Sequence, residues 1–283
     1  MRMRIRFRNR RLPRAVAAAA LLLAVWACGP RIRQVDVVAG FDPADLTGAR
    51  VAVCGAVLGP GAELDRTAAF PGISGVPDEL VQCDRWAPVL YGAFLETRPD
   101  IHPWPWDAVG SQLPTDRLML LLDSWARGGS PDPALIQDLG RYLPGVGYLT
   151  LARIEGNEVL TRQSLETTDA DQRVRDGRDV HGGMVDRTMN VQRKVTVAVE
   201  IFATETGLSV WFAEGTADRR ALFNAPDLEE APAPPPVEGP EGTRAVIDVQ
   251  GMPVKAPDFD AVFGDACRAL LAKLPRPAGP GGG

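Results

Sequence analysis

The chain has 283 residues, a formal charge of −5, four cysteines and two histidines. Seven of its 31 basic residues and none of its 36 acids lie in residues 1–27, so the other 256 residues set 24 basic groups against 36 acidic ones, −12. That length suits one large domain or one and a half. The acidic body argues against nucleic acid as a partner and against electrostatic adhesion to anionic lipid.

The leader carries Arg2, Arg4, Arg6, Arg8, Arg10, Arg11 and Arg14, followed by an apolar run over residues 15–27. A basic head, a short apolar body and a small residue before the cut make an export signal, and the body is shorter than the roughly 20 residues of a spanning helix. The end Val25-Trp26-Ala27-Cys28 resembles the lipobox of bacterial lipoproteins. That resemblance implies cleavage before Cys28 and diacylglycerol on its thiol, and Gly29 in place of Asp implies the periplasmic face of the outer membrane. An ordinary signal peptide cut nearby and a retained anchor are the two other readings of the same stretch.

Residues 28–47 are mixed and are expected to tether the anchor to one globular domain over 48–274. Residues 50–57 form a valine-rich run between Gly48 and Gly59, the pattern of a buried strand. Residues 59–77 read as loop. Asp78 can cap a helix to about Thr97, with Leu80, Cys83, Ala87, Leu90 and Phe94 on one face and a kink or break at Pro88. Residues 101–109 read as a weak strand interrupted by Pro103 and Pro105, with Trp104 and Trp106 as packing residues. Thr115 starts a helix stopped by Gly128-Gly129, and Asp132-Pro133 starts another bearing Leu135, Ile136, Leu139 and Leu143.

Residues 147–154 read as a strand closed by the turn Glu155-Gly156-Asn157. Residues 160–190, rich in Asp and Arg, read as a flexible insertion, either a long loop or an irregular hairpin arm. The strongest strand signal follows: Val195, Val197, Val199 and Ile201 alternate with Lys194, Thr196, Ala198 and Glu200. Thr206-Gly207 turns the chain into a return strand bearing Trp211, an antiparallel hairpin. Residues 225–242 are a proline-rich acidic spacer, and 246–249 can add an edge strand. Asp258 caps a last helix bearing Phe259, Val262, Phe263 and Leu270, and residues 275–283 are expected to be a disordered tail. The fold class is therefore α/β (α+β), a mixed sheet of about four to five strands with helices packed on its faces.

The order of elements, the strand over 51–57 and the Thr206-Gly207 hairpin with Trp211 resemble a family of envelope lipoproteins. That family includes the curli-secretion channel lipoprotein and the lipoprotein activators of penicillin-binding proteins, with a fold like the amino-terminal domain of the Tol translocation protein. The resemblance implies lipidation at Cys28 and carries over no other residue.

No pattern for catalysis, cofactor or metal stands out. His102 lies in a proline-tryptophan run and His181 in a charged loop, and Gly72-Ile73-Ser74-Gly75 lacks the spacing of a nucleophile elbow. Beyond Cys28, the thiols of Cys54, Cys83 and Cys267 fit either small buried hydrophobes or, for Cys54 and Cys83, a disulfide across one loop. The expected function is that of a non-catalytic lipoprotein on the periplasmic face of the outer membrane, an adaptor or assembly factor for another envelope protein. An oligomeric secretion-channel lipoprotein is the alternative, and a carboxylate-using hydrolase a third. A lipid-facing arm over 158–190 would place arginines in hydrocarbon at roughly 2–4 kcal/mol each near the midplane, which weighs against the channel.

Overall fold

The computed structural model describes residues 30–64, 76–167, 185–224 and 256–276. Six strands form one mixed sheet: β1 (Arg31–Val37), β2 (Arg50–Leu58), β3 (His102–Trp104), β4 (Tyr148–Thr167), β5 (Val185–Ala203) and β6 (Ser209–Asn224), in the spatial order β1-β6-β5-β4-β2-β3. β2 runs parallel to both β3 and β4, and the other pairs are antiparallel. A strand flanked in parallel is covered on both faces, which is why 51–57 reads as an unbroken apolar run instead of an alternating one.

Among the described residues five helices flank the sheet: α1 (Asp78–Thr97), α2 (Trp106–Gly110), α3 (Thr115–Ala126), α4 (Pro133–Tyr142) and α5 (Phe259–Leu271). α1 and α5 lie together on one face. Trp86 meets Phe259 and Phe263 at centroid distances of 5.4 and 6.4 Å, and Asp260 accepts from Trp86 Nε1 and Arg85 Nε at 3.1 Å each. A Cβ on Gly215 would meet Leu270 at 3.0 Å, so α5 lies directly on β6 there. Arg98, fully buried just past α1, donates to both oxygens of Asp100 at 2.9 and 2.7 Å and to the carbonyls of Leu274 and Pro275. It thereby ties the end of α1 to the chain beyond α5.

α3 and α4 cover the other face. Trp125 packs edge-on against Phe202 at 6.3 Å, and the β5–β6 turn sits on the start of α4. Gly207 has φ +72°, and a Cβ there would fall 2.1 Å from the Pro133 carbonyl oxygen, so the turn needs glycine for conformation and for space. Asp132 caps α4 by accepting from the Ala134 amide, and Asp258 caps α5 through Ala261, both as expected. Among the described residues no helix is long and apolar enough to cross a membrane.

Several expectations are corrected. The segment 28–47, read as a tether, contains β1 and a 3-10 turn, Pro43–Leu46, whose Leu46 is fully buried. β1 therefore brings the sheet to six strands. Residues 101–109 divide into a three-residue β3 and the helix α2, because the prolines allow only a short edge ladder. Glu155-Gly156-Asn157 is a bulge between paired strands, not a turn, and β4 continues to Thr167. Asp78 stands in the first turn of α1 while Pro77 takes the capping position, and α1 runs unbroken through Pro88. The polar side of β5 is buried too: Thr196, Ala198 and Glu200 are each less than a tenth exposed. Residues 225–242 and 246–249 lie outside the described residues, as do the leader and most of the tail.

Candidate functional site

Cys28 lies outside the described residues. Cys54, Cys83 and Cys267 are free and buried, in line with the small-hydrophobe reading and not with the alternative Cys54–Cys83 bridge. Each thiol of that pair faces backbone: Cys54 Sγ donates to the Ala52 carbonyl and Cys83 Sγ to the Ala56 carbonyl, both at 3.7 Å. Burial pushes the Cys54 thiol up to about 12 and raises those of Cys83 and Cys267 as well. Thiols held neutral in an apolar interior pack as small hydrophobes and are poor nucleophiles. His102 is exposed on β3, His181 lies outside the described residues, and among those described no trio of His, Cys, Asp or Glu could hold a metal.

One ionised cluster lies under α3. Arg153 Nε donates to Glu155 at 2.6 Å, its Nη1 to the Trp125 carbonyl at 2.9 Å, and its guanidinium stands 4.2 Å over the Trp125 ring. Glu200, two positions along the same sheet face, is 7 % exposed. Burial raises its carboxyl above the ordinary range, opposed by a hydrogen bond from Ser209 and the charge of Arg153. Here the cation is already neutralised and the carboxylate already bonded, so the cluster holds α3 on the sheet. It offers no base facing a nucleophile.

A groove of about 610 Å³ runs between α3 and α4, with Arg117, Arg127 and Arg141 facing Asp132 and Asp138. Arg127 pairs with Asp123, while Arg117 and Arg141 stand 3.6 and 3.7 Å from Asp138. Its charges are thus largely balanced within the groove.

Among the described residues, an arm of the sheet reaches beyond the helices. β4, β5 and β6 stay paired beyond the level of Arg193 and Arg219, which are the last sheet residues tied to the α5 region, through the Pro257 carbonyl and Asp265. Past them the pairing continues from Leu160↔Gln192 to Thr167↔Val185 and from Gln192↔Arg220 to Thr188↔Asn224. Leu160 and Leu222 are 43 % and 69 % exposed there. Leu160, Arg162, Asn190, Gln192 and Arg220 enclose a hollow of about 50 Å³, and Asn190 Oδ1 is buried without a hydrogen-bond partner. At the sheet's edge, β1 pairs among the described strands only with β6, and Val35 and Val37 are exposed. The weak signal for β1 was the alternation of Val35 and Val37; at 160–190 the hairpin alternative is the one that the pairing of 160–167 with 185–192 follows.

No family model and no curated protein matches the chain. Among solved structures, the PelC dodecamer from Paraburkholderia phytofirmans is 14 % identical, covering 87 % of this chain and 99 % of that one, with a TM-score of 0.32. A single-substitution variant of the same dodecamer is 16 % identical over 85 % and 99 %, with a TM-score of 0.26. Neither is one of the lipoproteins that the sequence resembles by its order of elements, and at these scores the likeness carries no argument about this chain.

Proposed function

We propose that the chain is a bacterial envelope lipoprotein, anchored by diacylglycerol on Cys28 at the periplasmic face of the outer membrane, that works by binding protein and catalyses nothing. The observation that supports this most is the sheet's outer edge: among the described strands β1 pairs only with β6, and Val35 and Val37 stand exposed on it. Exposed apolar side chains on an open strand edge suit a surface that a partner strand covers. The buried thiols and the neutralised Arg153 cluster fit the same reading, since neither offers chemistry.

The open outer edge of β1 supports a second reading, the oligomeric secretion-channel lipoprotein, because an unpaired edge can extend the sheet into a neighbouring copy. One experiment separates the two. A photoreactive residue at Val37, in cells making the full chain, is expected to capture a different envelope protein. A ladder of copies of this chain alone, a high-mass species in detergent and conductance in planar bilayers would favour the channel. No capture of any protein in the membrane fraction, together with failure of palmitate to enter the chain, would sink both.

A further inference from the structure

The strand directions fix where a membrane can lie. β1 is antiparallel to β6, with Arg31 opposite Thr216 and Val37 opposite Trp211. Following the chain back from Arg31 towards Cys28 therefore leads the same way as following β6 forward from Thr216 to Asn224. Cys28 is three residues from Arg31, so the anchor can stand off the sheet by at most about 11 Å. The arm extends eight residues beyond Thr216 in that direction, about 26 Å at the usual rise of a strand. Nor can β1 swing away to lengthen the leash. Its backbone is paired along β6, the Arg31 carbonyl oxygen lies within 3.0 Å of where a Cβ on Gly215 would sit, and Arg33 bonds Glu214 at 2.9 Å.

We infer that the arm lies on the membrane surface and that its Arg162–Arg220 hollow takes the phosphate of a lipid headgroup, a reading that rests on Cys28 as the anchor. With the strands pointing towards the bilayer, an arm longer than the standoff meets it. Its charge favours the contact: on this end of the sheet Arg31, Arg162, Lys194 and Arg220 face only Glu158 and Asp218 among the described side chains on that face and edge. The charge of −12 on residues 28–283 conceals this local reversal. Lys194 pairs with Glu158 at 3.0 Å, and Asp218 accepts from Gln192 at 2.6 Å and lies 3.9 Å from Arg220. Arg162 has no carboxylate against it among these contacts, and the Asn190 amide, turned over, would present its N–H groups to the same hollow. Guanidinium groups at both walls keep the arm at headgroup depth and out of hydrocarbon.

The test uses the full lipidated chain in vesicles of phosphatidylcholine with and without phosphatidylglycerol. A fluorophore is placed on Leu222→Cys in the arm or on Leu208→Cys at the opposite end of the sheet, and quenched by spin labels on the headgroup or deep in the acyl chain. Headgroup quenching at 222 is expected to exceed that at 208. On anionic vesicles it should fall as salt rises from roughly 0.01 to 1 M, where screening shortens from about 30 to about 3 Å. R162E/R220E, checked for parental circular dichroism, should lose that salt-dependent part. Equal quenching at the two ends, or an unchanged salt response in R162E/R220E, overturns the inference, and stronger quenching from the acyl depth replaces it with insertion. Palmitate incorporation in the same preparation reads the anchor separately: its absence removes the standoff, whereas labelled chains with equal quenching retain the anchor and refute the seating.

Discussion

Replacing Arg98 with Met keeps most of the side chain's bulk and removes its guanidinium. Four hydrogen bonds go with it, two to Asp100 and one each to the carbonyls of Leu274 and Pro275. Breaking a buried pair by deleting one partner costs about 3–5 kcal/mol. Asp100 is 28 % exposed in its side chain and regains part of its hydration, which places the cost near the lower end, about 3 kcal/mol. For a chain of this size that lowers Tm by roughly 6–12 °C, at about 2–4 °C per kcal/mol. Urea unfolding at pH 7, followed by tryptophan fluorescence, reads the difference. Acid provides a second check. The hydrogen bonds from Arg98 hold the Asp100 carboxyl below its usual value, so the pair stabilises fully above about pH 4 and loses its effect as pH falls through the lowered value. The gap between parent and R98M must therefore narrow in acid. A loss under about 1 kcal/mol at pH 7, or a gap that widens in acid, would refute the account of Arg98 as the clamp between α1 and the end of α5.

Glu200→Gln is expected to raise Tm at pH 7 and leave it unchanged near pH 4. Burial raises this carboxyl, so its folded-state penalty grows as pH climbs through the unfolded value towards the folded one, and a neutral amide avoids it; a lower Tm at pH 7 would contradict this. Gly207→Ala should destabilise by about 2–3 kcal/mol or prevent folding, since both the positive φ and the Pro133 carbonyl oppose a Cβ; calorimetry within about 0.5 kcal/mol of the parent would disprove the turn. Cys54, Cys83 and Cys267 should stay unmodified by a thiol reagent at pH 8 in the native chain and all react in denaturant. Two thiols missing after denaturation would restore the bridge.

Where burial is regular, the sequence was a good guide. The alternation from Lys194 to Ile201 and the Asp132-Pro133 start of α4 predicted elements that the structure contains. The parts missed share one physical cause, pairing without burial. Among the side chains of β1 only Ile32 is partly covered, so hydrophobic pattern is almost silent there and backbone pairing with β6 decides the strand. Gly156 resembled a turn because a bulge and a turn use the same residue, and only the continued pairing of Asn157 with Val195 distinguishes them. The candidate surface was hidden for the same reason, since Arg162 and Arg220 become neighbours only across three paired strands.

The pairing of β1 with β6 also orders events in time. Arg33 and Glu214, bonded across that pair, are 181 positions apart. β4, β5 and β6 can zip as successive hairpins from contacts local to each turn, whereas β1 must wait for a partner made long after it. The first strand to leave the ribosome is therefore the last to be placed, and the sheet closes only on a chain whose sixth strand has already emerged.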